Sequence, residues 1–191
     1  MDVEHVKAKI SVWWNINDCK FPTNPEYVKT IANNIRLALS KANLLGELSI
    51  SAYGDTNLIA SEILNALSST GISVHHVTSV SDSYFDECYK KIITDMSLWA
   101  LGNPNANVLL IFANGGNAVP IISRALVKLS MKNHNILLAI PSQVDASLTD
   151  TANIVWLWPA LFSGEGPMCI EEVNFKIRTL LNSHITTINL F

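Results

Sequence analysis

Short apolar, β-branched runs alternate along the chain with longer segments in which apolar residues recur every three or four positions. The runs at 10–14, 48–53, 72–77, 108–112, 136–140 and 154–157 predict six strands. The intervening segments have helical period and are long enough to cross over between parallel strands. The pattern therefore predicts an α/β fold, a three-layer sandwich with a mainly parallel central sheet.

Individual helices are marked by their ends. Asn24 can cap and Pro25 suits a first helical position, and Val28, Ile31, Ile35, Ala38, Leu39 and Ala42 then share one face. A second helix carries Leu58, Ile59, Ile63, Leu64 and Leu67 and stops at Gly71, where a left-handed residue can end it. A third carries Phe85, Ile92, Ile93, Met96, Trp99 and Ala100 before Gly102 and Pro104. The fourth starts near Pro120 with Ile121, Ile122, Ala125, Leu126 and Leu129, and Lys128 and Lys132 suit its C-terminal dipole. Residues 142–151 read as a polar loop or brief helix, and 163–167 as a linker. Beyond the linker, Ile170, Val173, Ile177, Leu180 and Leu181 predict a C-terminal amphipathic helix, followed by an apolar tail at 185–191. The expected division is a domain over 1–166 and a helix and tail over 167–191, packed on the domain or on a partner.

Composition narrows the class. Of 191 residues 49% are hydrophobic and 15% charged, with a mean hydropathy of +0.25, so disorder is excluded. Thirteen Lys and Arg against sixteen Asp and Glu give a net charge of -3, without a basic block for a nucleic-acid arm. No apolar run approaches the roughly 20 residues of a membrane span, and residues 1–9 lack a signal-peptide pattern. Cytoplasm and no membrane contact are the expectation. Cys19, Cys88 and Cys169 form no CxxC spacing and read as reduced, partly buried thiols. The apolar surplus points to a protein partner or a homodimer.

In a parallel sheet, ligands bind beyond the carboxyl ends of the strands. The loops predicted there hold Asn15, Asn17 and Asp18, then Asp55 and Thr56, then Thr78 to Asp86, then Asn114, Gly115, Gly116 and Asn117. They are rich in amides and poor in carboxylates, whereas a hard divalent ion needs several carboxylate oxygens to offset its dehydration. Asp55 reads equally as a helix N-cap. The loop 114–117 could form a backbone nest for an anion but lacks a Walker or dinucleotide spacing. His75 and His76 read as structural, and Trp13, Trp14, Trp156 and Trp158 as core rather than base-stacking residues. Lys20, Lys90, Lys91 and Arg124 are the basic residues expected nearest the strand ends.

Several stretches carry a family resemblance: Val12 to Cys19 with Pro22, Ile50 to Asn57, Ala66 to Ile72, Lys90 to Ile92, Asp95-Met96, Trp99 to Leu101, Asn135 to Ala139 and Val155 to Trp158. Over residues 9–166 the chain resembles the NYN domain, a Rossmannoid, PIN-like nuclease fold, and in particular the limkain type found in plant endonuclease-like proteins and in meiosis regulator and mRNA stability factor. That resemblance implies a Mg²⁺ or Mn²⁺ endoribonuclease site, single-stranded RNA as substrate, and a role in RNA metabolism and gene regulation. It also brings an association with peroxisomes, although Asn189-Leu190-Phe191 is no peroxisomal address. Where the family's first strand ends in Trp-Asp, this chain has Asn15. The family's Asp before Lys-Lys-Ile is Tyr89 here, and its Ser-Gly-Asp-x-Asp-Phe motif corresponds to 112–117, where both acids are missing. Asp55 alone keeps its matching position.

The resulting expectation is a degenerate NYN domain, a pseudonuclease binding RNA or a protein, with no cofactor or weakly held Mg²⁺ or Mn²⁺. Asp55 and Asp18 would be the ligands, with Asn15 and Asn114 at the degenerate positions. RNA would meet Asn17, Lys20, Asn57, Lys90, Lys91 and Asn117. The alternatives are an active endoribonuclease built from Asp55 with Asp18 and Asp86 or Glu87, and an anion-binding protein using the 114–117 loop.

Overall fold

The structure, a computed structural model, describes residues 3–78, 87–113, 118–141 and 150–168. Its six strands are β1 (Ile10–Asn15), β2 (Leu48–Gly54), β3 (Ser73–His76), β4 (Asn107–Ile111), β5 (Asn135–Ile140) and β6 (Ile154–Leu157). They form one sheet in the order β3-β2-β1-β4-β5-β6, and every pairing is parallel. The expected sheet is thus present and wholly parallel among the described residues.

The helices are α1 (Val3–Val6), α2 (Pro25–Val28), α3 (Ile31–Lys41), α4 (Ser61–Ser69), α5 (Glu87–Leu101), α6 (Val119–Ser130) and α7 (Trp158–Ser163), with a 3₁₀ turn at Thr56–Leu58. On one face of the sheet Val12, Trp14, Ile50, Leu109, Leu137 and Trp156 pack with Ile35, Leu39, Leu67 and Leu161 of the helices. On the other, Trp13, Tyr53, Leu110, Ile136 and Leu138 pack beneath Ile92 and Met96 of α5 and Ile122 and Leu126 of α6. Alternate strand residues thus feed opposite cores, as the period of two requires. All four tryptophans at the strand ends are buried, so they belong to the core.

Several sequence expectations need amending. The first predicted helix is two, α2 and α3, separated by Lys29 and Thr30, although Asn24 does cap it by accepting from the Glu26 N–H at 2.9 Å. The second begins at Ser61, because Asp55 starts a separate 3₁₀ turn that leaves Leu58 exposed. Its end is as expected, with Gly71 at φ +84. Ile121 faces solvent rather than the core. The short helices α1 and α7 lack an apolar period of their own and were not predicted. Phe85, Cys169, the 142–149 stretch and the C-terminal helix and tail lie outside the described residues.

Register at the amino edge of the sheet is held by buried amides. The Asn107 side chain donates to the His5 and Ala8 carbonyls at 2.8 and 3.2 Å, and Asn135 donates to Asn107 Oδ1 at 2.7 Å. This ladder ties β4, β5 and the N-terminal segment into one arrangement.

Candidate functional site

β1 and β4 are neighbours although two strands and their helices separate them in the chain, so the sheet order reverses between them. The crevice beyond their carboxyl ends is the topological switch point, where open α/β sheets take ligands. Asn15 closes β1 there and is fully buried. Its Oδ1 accepts the Asn17 N–H at 3.1 Å, forming an Asx turn, and its amide donates to Asp18 Oδ2 at 3.2 Å. The hydroxyl of Tyr89, a buried residue of α5, donates a short hydrogen bond to the same carboxylate oxygen. Burial first, and then the Asp18 charge, push the Tyr89 phenol far above its ordinary value, so it remains a donor. Burial and Asp18 likewise raise the Cys19 thiol to about 12, which keeps it protonated and unreactive.

The loop that carries Asp18 is anchored to the core by two indoles. Trp14 Nε1 donates to the Cys19 carbonyl at 2.9 Å, and Trp158 Nε1 to the Lys20 carbonyl at 2.8 Å. Lys20 itself is exposed.

The neighbouring corner, at the ends of β2 and β3, centres on Asp55. Its N–H donates to Asn17 Oδ1 at 3.1 Å, and its own Oδ1 accepts the Asn57 N–H at 3.0 Å, capping the 3₁₀ turn. Asn17 therefore joins the Asn15 turn to the Asp55 cap. That approach needs a glycine at position 54, since a Cβ there would lie 2.5 Å from Ile16 Cγ1 and 2.7 Å from Asn17 Oδ1. His76 Nδ1 accepts the Thr56 N–H at 3.2 Å and lies 3.8 Å from Asp55 Oδ1. Beneath this corner Tyr53 stacks on His75 with centroids 4.5 Å apart and donates to Asp95 at 3.0 Å.

The fold thus brings Asn15, Asn17, Asp18 and Asp55 to one edge, with Asn57 on the rim. Lys90 and Lys91 are exposed on α5 and pair with Glu87 at 2.5 Å and Asp95 at 2.7 Å. Arg124, expected near the strand ends, instead stands midway along α6 in a groove against α5. Asn114, Asn117 and Asp86, with most of the third loop, lie outside the described residues. Among the described residues no three His, Cys, Asp or Glu side chains gather as a metal-holding group. Gly54 falls in the strand-end loop expected from the sequence, whereas Tyr89 and His76 take roles in the site that the sequence did not assign. Tyr89 was visible only as a departure from an acid, and the neighbouring pair His75-His76 carried no sign that His76 would meet Asp55.

A six-stranded, wholly parallel, three-layer α/β sandwich with polar loops at this switch point defines a PIN-like, nuclease-type fold. Residues 9–155 match the NYN domain, and the chain belongs to that family. A solved structure of a protein of unknown function from Vibrio parahaemolyticus is similar, with 16% identity and a TM-score of 0.56 over 82% of this chain and 95% of that one. At that identity the likeness concerns the fold. No curated protein matches the chain. No helix among the described residues is long and apolar enough to cross a membrane.

Proposed function

We propose that this chain is a non-cleaving NYN domain, a pseudonuclease whose role in RNA metabolism is to bind a macromolecular partner. The observation that carries the reading is the pair of neutral donors on Asp18. An amide and a phenol both donate to Asp18 Oδ2, so neutral donors stabilise its charge without an ion having to be dehydrated. Asp55 is bound up in an N-cap, and the amide of Asn15 supplies no charge. This donor set does not fit a hard Mg²⁺ or Mn²⁺ centre, so no hydrolytic step is assigned. The limkain kinship rests on the stretches between Val12 and Trp158 named above and belongs to the same reading.

Single-stranded RNA is the weaker partner, because Lys90 and Lys91 pair with acids of their own helix and leave Lys20 as the exposed cation on the Asp18 loop. The test incubates the purified chain with labelled single-stranded RNA in Mg²⁺ and in Mn²⁺, beside Asp55→Asn and a chelator control, and reads cleavage and gel shift from the same samples. Intact RNA is expected. Cleavage lost in both controls would overturn the proposal in favour of an active endoribonuclease.

A further inference from the structure

The face opposite α3 and α7 carries a groove of about 560 Å³ between α5 and α6, and the strand-end chemistry makes no use of it. Its wall is aliphatic, with Ile93, Leu101, Ile121 and Leu129 among its residues. Leu101 is 69% exposed and Ile121 43%, so large apolar side chains stand in water beside a concave surface. Leu98 extends the exposed apolar area along α5.

Along the same groove run Arg124, Lys128 and Lys132. Successive positions four apart rise about 6 Å on a helix, so Arg124 and Lys128 stand one turn apart on one flank of α6. Lys132 follows in the turn after Ser130. Unlike Lys29, Lys90 and Lys91, none of the three is in an ion pair among the described residues. Nor does the local sequence balance them, because no Asp or Glu occurs between Asp95 and Asp145. In a chain of net charge -3 this is a local basic stripe beside an apolar trough. At the end of the groove His134 is 5% exposed, and its Nδ1 has no hydrogen-bond partner.

We propose that the α5–α6 groove is the docking site of an acidic amphipathic helix from a partner protein. The partner lays Leu or Ile side chains into the trough and sets Asp or Glu, at spacings of three or four residues, against Arg124, Lys128 and Lys132. Nucleic acid fits the same cations less well, because the lining contains no Trp, Tyr or Phe face on which a base could stack. The inference rests on the binding role proposed above and adds the partner's chemistry and position.

The experiment selects from a displayed library of random, helix-length peptides on the full chain, then measures the enriched peptides by fluorescence anisotropy. Enriched sequences should join aliphatic residues at helical spacing with acids on the adjoining stripe. Arg124→Glu/Lys128→Glu should weaken them by about tenfold or more, and a peptide with lysine for its acids should regain binding to that variant. Ile121→Glu, at an exposed position, should weaken them by about fivefold with the circular dichroism unchanged. Absence of enrichment, enrichment of sequences without acids, or equal binding to wild type and variants would overturn the inference. So would single-stranded RNA that binds through Arg124 and Lys128 while no peptide does. RNA cleavage assayed on the same protein separates the two proposals, since cleavage beside groove-dependent peptide binding sinks only the pseudonuclease reading.

Discussion

The two corners of the sheet's carboxyl edge hold their aspartates in different ways. At the β1–β4 corner, Asp18 is met by the Asn15 amide and the Tyr89 hydroxyl, side-chain groups drawn from a strand and from a helix distant in sequence. At the β2–β3 corner, Asp55 is met by the backbone N–H of Asn57, two residues away, and by His76 at 3.8 Å. The first arrangement depends on which residues stand at 15 and 89; the second would survive in any chain that kept a cap at 55. A carboxylate held by replaceable side chains records a change of chemistry, whereas one held by its own backbone records only a turn.

Substitution at Asn15 should break the comparison most sharply. Asn15→Asp removes a donor and places a buried carboxylate next to the exposed Asp18, with an expected loss on the order of 3 kcal/mol in urea unfolding. Millimolar Mn²⁺ should return part of that loss in the variant and leave the wild-type midpoint unmoved. A variant as stable as wild type without metal would mean that the Asn15 amide is not what holds this corner.

Gly54→Ala tests the link between the corners. The added methyl must displace Ile16 or the Asn17 amide that holds Asp55, for an expected loss of about 2 kcal/mol. An unchanged melting temperature would show that the loop yields freely. Tyr89→Phe removes the hydroxyl alone and should cost about 1 kcal/mol, because Asp18 is exposed enough for water to replace part of the bond. If Asn15→Asp and Tyr89→Phe are additive in a double-mutant cycle, the two donors do not act as one unit.

The smallest effect lies at the opposite edge. Burial, and secondarily the nearby charges of Lys132 and His5, lower the His134 pKa below its ordinary 6.5, against a raising hydrogen bond to Ala106. The unfolded chain therefore binds the proton more readily than the folded one. Stability from this group is full above 6.5 and declines as pH falls through that value towards the folded pKa. Thermal melts from pH 7.5 down to about pH 5 should show this slope, and His134→Gln should flatten it. An equal slope in both proteins would assign the pH dependence to other groups.

Much of the fold was legible because a parallel sheet buried on both faces leaves continuous apolar runs, as at 136–140 and 108–112. Each predicted strand lies within one or two residues of its observed ends. The helix ends that carry their own signal, Asn24-Pro25 and Gly71, were equally plain. The break at Lys29 and Thr30 was not, because both halves continue one apolar face and Val28 and Ile31 are each fully buried. Ile121 was misplaced for a related reason: helical period places it beside Ile122, and only the position of α5 decides which of the two is covered.

The layered α/β architecture, the loops that follow the strands and the lack of an acid at position 15 can be read from residue order alone. Those properties depend on apolar period, turn chemistry and residue identity, all local to the chain. The meeting of Tyr89 with Asp18, the bridge from Asn17 to Asp55 and the place of Arg124 in a groove rather than at the switch point arise from packing in three dimensions. Each depends on how far apart in sequence the partners stand and on the order in which strands assemble, and a one-dimensional pattern does not encode that order.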